Sequence, residues 1–159
     1  MILRTFGEDD APLLCSWIPD ARANFLWGGP AFSYPLQVEA VCEHIAKPEV
    51  TPFLLIEDGE PVGYIDLYQV TPEEIRLCRV LVAHPQSRGK GWGKQLVKLA
   101  LQVAKERKAV KRVSLAVFDQ NEAAKACYQS LGFKVLPDET KVRHFDEENW
   151  TLLRMMKVF

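Results

Sequence analysis

Arg88-Gly89-Lys90-Gly91-Trp92-Gly93-Lys94 is the stretch whose reading decides the fold. Ahead of it, Ile75 to Ala83 is apolar and β-branched enough for a strand, and Pro85 stops that strand. Behind it, from about Gly91 to Lys108, the apolar spacing becomes helical, with Trp92, Leu96, Leu99 or Ala100, and Val103 on one face. The chain therefore passes from strand to helix through a turn built of glycines and cations. Glycine tolerates positive φ and lets backbone approach a ligand closely. The start of the helix offers unpaired N–H groups and the positive end of a dipole, together an anion site. A phosphate-bearing ligand is the guest this turn suits.

Three kinds of turn have this general make-up. A nucleotide-triphosphate P-loop needs four residues between its first glycine and a Gly-Lys pair, then Ser or Thr. Here only three residues separate Gly89 from Gly93, and Lys94 is followed by Gln95, so no metal-binding hydroxyl is in place. The dinucleotide fingerprint Gly-x-Gly-x-x-Gly would put glycine at 94 and would follow a first strand. Position 94 is Lys94, and several strands come earlier. The third pattern, Arg-x-x-Gly-x-Gly, is met by Arg88, Gly91 and Gly93.

A second motif follows downstream. Asn121 to Leu131 reads as a helix stopped by Gly132, and Ala124 and Tyr128 fall on the same helical face as Asn121. Leu131-Gly132-Phe133 then leads into a strand. The two motifs, in this order and spacing, resemble the signatures of the GNAT superfamily of N-acetyltransferases. The resemblance is clear from about Val62 to Val135. It implies a single α/β domain over residues 1–159, with a mixed, mostly antiparallel central sheet flanked by helices. It implies acetyl-CoA as the acetyl donor, with no metal. By the resemblance, Leu81, Val82 and Ala83 offer backbone groups to the pantetheine arm. Arg88, Gly89, Lys90, Gly91, Trp92, Gly93 and Lys94 wrap the pyrophosphate, and Asn121 hydrogen-bonds the cofactor. Tyr128 stands by the sulfur as general acid. Independently of any resemblance, a phenol with a pKa near ~10 stays protonated at neutral pH and can donate to a departing thiolate.

The amine must lose a proton before it attacks a thioester. Some members of the superfamily carry a Glu for this purpose five residues ahead of the motif Asn, and that position is Ala116 here. Asp66 is the leading candidate base and Glu74 a second. His84 is expected near the cofactor rather than the amine. Cys127 points about 100° around the helix from Tyr128, which argues against an acetyl-cysteine route. Trp27 and Tyr34, with Phe32, are expected to wall the acceptor or attract its ammonium by cation–π contact. Glu43, Glu147 and Glu148 are further candidates to meet a cationic amine.

Working outward, Ile2 to Phe6 reads as a first strand, and Asp9 or Asp10 as the cap of a short helix through Trp17. Asn24 to Pro30 reads as an aromatic loop broken by Gly28, Gly29 and Pro30. Helical spacing returns over Pro35 to Ala46. Asp58-Gly59 between two apolar runs predicts a hairpin. Val113 to Phe118, Phe133 to Leu136 and Trp150 to Val158 read as strands, the first parallel to Ile75–Ala83 through a right-handed crossover.

The chain has 159 residues and a formal net charge of −1. One domain of this length buries enough surface to need no staple. The near-neutral charge disfavours a nucleic-acid partner. The four cysteines are widely spaced and form no zinc pattern. No apolar run approaches ~20 residues, so no membrane partner is expected. Met1-Ile2-Leu3-Arg4 does not read as a signal peptide, which gives a cytoplasmic expectation. The expected acceptor is a small-molecule amine, an aminoglycoside-like cation, or a peptide N-terminus or lysine, and a homodimer is left open. A longer acyl donor, or a GNAT-fold module that binds acyl-CoA as a sensor or partner-binding domain without turnover, are the competing readings.

Overall fold

The computed structural model describes residues 1–84 and 89–159. Strands β2 (Val50–Glu57) and β3 (Glu60–Thr71) form the hairpin that Asp58-Gly59 predicts. Both turn residues have positive φ, 49° and 78°, as a two-residue turn matched to strand twist requires. Strand β4 (Glu74–Val82) folds back on β3, and β1 (Ile2–Thr5) pairs with the other edge of β2. With β5 (Arg112–Phe118), β6 (Lys134–Phe145) and β7 (Glu148–Val158) they make one seven-stranded sheet, ordered β1-β2-β3-β4-β5-β7-β6. The β4–β5 pairing is parallel and every other pairing is antiparallel. Helix α4 (Trp92–Glu106) is the crossover between these parallel strands.

Successive residues of a strand point to opposite faces, and this sheet buries both. Leu55, Ile65, Leu77 and Leu115 join Leu96, Val97, Ala100 and Ala104 of α4 in one core, with Tyr128 of α5 (Glu122–Ser130). Leu54 and Tyr64 join a second core built by α1 (Ala11–Ser16) and α3 (Val38–Ile45). Phe25 from α2 (Ala21–Gly28) packs with Phe118 and Trp150 in a third cluster. Helices thus cover the sheet from both sides, as the sequence implies.

Two elements differ from the sequence reading. Asn24 to Pro30 is not an aromatic loop: α2 runs through Gly28, and a short 3₁₀ turn follows over Gly29–Ala31. Asp20 supplies the missing start signal, its carboxylate accepting from Ala23 N–H at 2.7 Å. Asn24 is buried in that helix and donates to the Phe32 carbonyl at 2.9 Å, tying helix to loop. The strand expected over Phe133 to Leu136 instead extends to Phe145, with an irregularity between Leu136 and Lys141. Its polar outer half is held by pairing with β7 rather than by burial. The cysteines are free thiols. Among the described residues no helix is long and apolar enough to cross a membrane, and no group of His, Cys, Asp and Glu is placed to hold a metal ion.

Candidate active site

The site begins as an interruption in the sheet. Strands β4 and β5 pair from Glu74↔Arg112 to Leu77↔Leu115 and no further, while β4 goes on pairing with β3 as far as Val82↔Gly63. The cause is a bulge. Tyr64 pairs with Leu81 and Asp66 with Cys78, so the single residue Ile65 faces two, Arg79 and Val80. Arg79 takes φ 56°, a left-handed value that costs a non-glycine residue energy unless its surroundings hold it. A bulge bends and over-twists its strand, which carries the end of β4 away from β5. A cavity of about 200 Å3 opens in the cleft, lined by Leu77–Val80, Leu115–Phe118, Asn121 and Tyr128. On the other side Leu26–Pro30, Arg76, Arg143 and Leu152 close it.

Asp66 is what holds Arg79. Its carboxylate is fully buried and accepts two hydrogen bonds from the Arg79 guanidinium, at 2.8 and 3.0 Å. Tyr64 Oη donates to it at 2.7 Å, and His44 Nε2 lies 3.0 Å away. Burial by itself would raise this carboxyl's pKa. The bonds from His44 and Arg79 and the guanidinium charge overcome it, so the pKa lies below the ordinary value. Asp66, expected as the catalytic base, is placed at the bulge and outside the cavity lining, with both of its oxygens occupied and its proton affinity reduced. Glu74, the second candidate, is likewise engaged by Arg112, Ser114 and Arg76, which hold its carboxyl below the usual range.

The glycine turn is described from Gly89 onward, and Arg88 lies outside the described residues. Gly89 and Gly91 have φ of 84° and 79°, values that the sequence reading requires of glycine. Gly91 is the N-cap of α4 and brings no side-chain cap, and the first turn holds no acidic residue. Among the described residues no side chain caps the first N–H groups of this 15-residue helix, the groups at which a helix start can receive an anion. Lys90 Nζ lies 5.3 Å from the centroid of the Trp92 ring. Next to the turn, Leu81 and Val82 pair with β3 but not with β5. Gly63 lets the two strands come this close, since a Cβ there would stand 2.8 Å from the Leu81 carbonyl oxygen. Ala83 N–H donates to the Val62 carbonyl at 2.8 Å.

Tyr128 reaches the cavity from α5 and is 8% exposed. Burial pushes its phenol well above the ordinary pKa, so it stays protonated. Asn121 lines the cavity too, and its side-chain oxygen caps α5 by accepting from Ala124 N–H at 3.3 Å. That use leaves its two amide hydrogens as donors. Of the residues expected to meet the acceptor, Trp27 lines the cavity and donates its indole N–H to the Arg79 carbonyl at 2.8 Å. Tyr34 does not: it is exposed, and its hydroxyl donates to the Pro19 carbonyl. Glu43, Glu147 and Glu148 are not in the lining, nor is His84, whose ring meets Trp17 edge to face.

Sequence reasoning missed Arg76, Cys78, Arg79 and Arg143. The signal available was a charged residue set in an apolar run, Arg79 in Leu77-Cys78-Arg79-Val80-Leu81, matched by Asp66 in Ile65-Asp66-Leu67. Two lone opposite charges in neighbouring buried strands must find each other. Burial pushes the Cys78 thiol up to about 11, which makes it a poor nucleophile.

The sheet is open between two parallel strands, with a helix start at one end of the gap and a protonated phenol inside it. The comparisons give the class of protein. The model of the acetyltransferase (GNAT) family matches residues 16–133. Aminoglycoside N(6')-acetyltransferase type 1 of Klebsiella pneumoniae is 26% identical over 146 residues, 83% of this chain and 73% of that protein. Among solved structures, a spermidine N-acetyltransferase from Vibrio cholerae in complex with CoA and spermine superposes with a TM-score of 0.81 at 17% identity, covering 98% of this chain and 94% of that one. An aminoglycoside acetyltransferase in complex with coenzyme A gives 0.77 at 22% identity, covering 99% and 94%. The chain belongs to the GNAT acetyltransferase family, and it is an acetyl-CoA-dependent N-acetyltransferase.

Proposed function

We propose that the protein transfers the acetyl group directly from acetyl-CoA to a small amine, with Tyr128 as the general acid. The observation that carries this is the cleft itself, which puts a protonated Tyr128 and the open end of β4 in one cavity. The pyrophosphate sits on the turn Gly89–Lys94 at the start of α4, with Arg88 preceding it. The pantetheine arm then runs along Leu81, Val82 and Ala83, bonding main-chain groups that β5 leaves free, and Asn121 donates to it. The neutral amine attacks the thioester carbonyl carbon, forming the C–N bond and an oxyanion, which main-chain N–H groups at the bulge stabilise. Collapse breaks the C–S bond. Tyr128 gives its proton to the sulfur and recovers one from the proton the nitrogen sheds, through solvent. Amine and thioester become amide and thiol with no proton gained or lost overall. Among the described residues no carboxylate lines the cavity, so the nitrogen's proton leaves through water.

Trp27 forms part of the acceptor wall. The relatives' names suggest an aminoglycoside as one candidate acceptor. The test is amine-dependent thiol release from acetyl-CoA, preceded by thermal unfolding with acetyl-CoA, ATP and NADH. Acetyl-CoA at ~100 times its Kd stabilises by about 2.7 kcal/mol, and acetyl-CoA alone is expected to raise Tm. A rise with ATP or NADH instead would reject the cofactor assignment. Binding of acetyl-CoA with no thiol release across a broad amine panel would favour a sensor module.

A further inference from the structure

The charges around the cavity are one-sided. Arg76, Arg79 and Arg143 line it, and among the described residues no Asp or Glu does. Arg79 is neutralised by Asp66. Arg76 lies 3.4 Å from Glu74, which it shares with Arg112. Arg143 has no ion pair among the described residues, and its Nε is buried without a hydrogen-bond partner. Arg154 is in the same condition at Nη1. It sits opposite Ala116 across the β5–β7 pairing and hence beside the cavity wall, because Ala116 lines the cavity. Burial and the nearby Arg76 lower the pKa of the Arg154 guanidinium, against smaller opposing effects that include Glu139 and Glu74, and it remains a cation. A buried guanidinium N–H without an acceptor is costly. Two on neighbouring strands, beside an open cavity, are poised for an anion.

We infer that the acceptor is a small amine that also carries an anionic group, a carboxylate or a phosphate, which Arg143 and Arg154 receive while the amine faces the thioester. This deepens the N-acetyltransferase reading and rests on it. A polycation finds no free carboxylate in this lining, whose charged side chains among the described residues are arginines, two of them already paired. The cavity's volume of about 200 Å3 is also below the roughly 300–1,000 Å3 typical of drug-sized ligands.

The experiment is a comparison of kcat/KM by thiol release for matched acceptors: α- and ω-amino acids against their carboxamides, phosphoethanolamine against ethanolamine, and kanamycin and spermidine as polycations. The anionic member of at least one pair is expected to exceed its neutral twin by about tenfold or more, as a charge-assisted hydrogen bond allows. Which pair responds separates carboxylate from phosphate. In Arg143→Met that ratio is expected to fall toward one. Arg154→Met is the second variant should the first fold poorly, and the acetyl-CoA-induced rise in Tm checks that each variant is intact. The inference is overturned if no anionic acceptor is preferred over its twin, if a polycation is the best acceptor of the panel, or if the preference survives in both intact variants. A failure of wild-type enzyme to bind acetyl-CoA would instead remove the transferase reading beneath it.

Discussion

The indole Nε1 of Trp27 donates to the main-chain carbonyl of Arg79 at 2.8 Å, across 52 residues of sequence. The bulge that opens the sheet is therefore held twice, by Trp27 at its backbone and by Asp66 at its side chain. Trp27→Phe keeps most of the ring and removes the donor, leaving a buried carbonyl short of a partner, a change that costs about 1–3 kcal/mol. We expect a lower urea midpoint and a loss in kcat larger than any rise in the KM for acetyl-CoA. Full kcat with lowered stability would show that the bulge does not depend on this bond.

Asp66→Asn strands the Arg79 charge. Breaking a buried ion pair from one side costs about 3–5 kcal/mol. The pH dependence has a definite sign. A carboxyl whose pKa is depressed in the folded state contributes stability above its unfolded value, near ~3.9, and loses it as pH falls through the lower folded value. Wild type should therefore lose part of its stability only in strong acid, and the Asn variant should be weaker at neutral pH with a shallower acid limb. Unfolding curves from pH 7 down to about pH 1 measure both. An acid limb in wild-type kcat/KM that Asp66→Asn abolished, with stability intact, would restore Asp66 as a base.

Tyr128→Phe should lower kcat by roughly 10²–10⁴-fold, the usual contribution of a general acid, and leave the acetyl-CoA-induced Tm rise in place. Because burial raises the phenol's pKa, its ionisation should impose no fall in kcat below about pH 10. A descending limb near pH 8, absent in the Phe variant, would contradict the environment described for this residue.

Gly91→Ala isolates backbone conformation from space. Among the described residues nothing lies within 4 Å of a Cβ placed there, yet φ is 79°. Left-handed backbone costs an L-residue about 1–2 kcal/mol, so the turn should relax and the KM for acetyl-CoA should rise several-fold with kcat little changed. An unaltered KM would mean that the helix start does not hold the pyrophosphate.

Direct transfer excludes an acetylated enzyme. Burial is the first cause raising the thiol pKa of both Cys78 and Cys127, so neither is a thiolate at neutral pH. Intact-mass spectra after incubation with acetyl-CoA alone should show no stoichiometric gain of an acetyl group. Such a gain at either cysteine would replace the single-step mechanism.

What the sequence determined by itself is local. Glycines at 89 and 91, a helix beginning beside them and Asn121 and Tyr128 on one face of the next helix follow from backbone sterics and helical period, which few neighbouring residues decide. The Asp58-Gly59 hairpin is legible for the same reason. Helix α2 was not, because its aromatic residues serve separate clusters, Phe25 with Phe118 and Trp27 with Tyr64, so no single face marks it. Asp66 and Arg79 were each visible as odd charges in apolar strands, yet their pairing comes from the β3–β4 register, and the register includes a bulge no local residue announces. Tyr34 and Trp27, alike in composition, part company only when the chain folds over Arg79. The arginine-lined cavity draws on β4 and β6 together. Charges that distant in sequence acquire a common meaning only through tertiary packing, which removes water and with it the screening that would keep them independent.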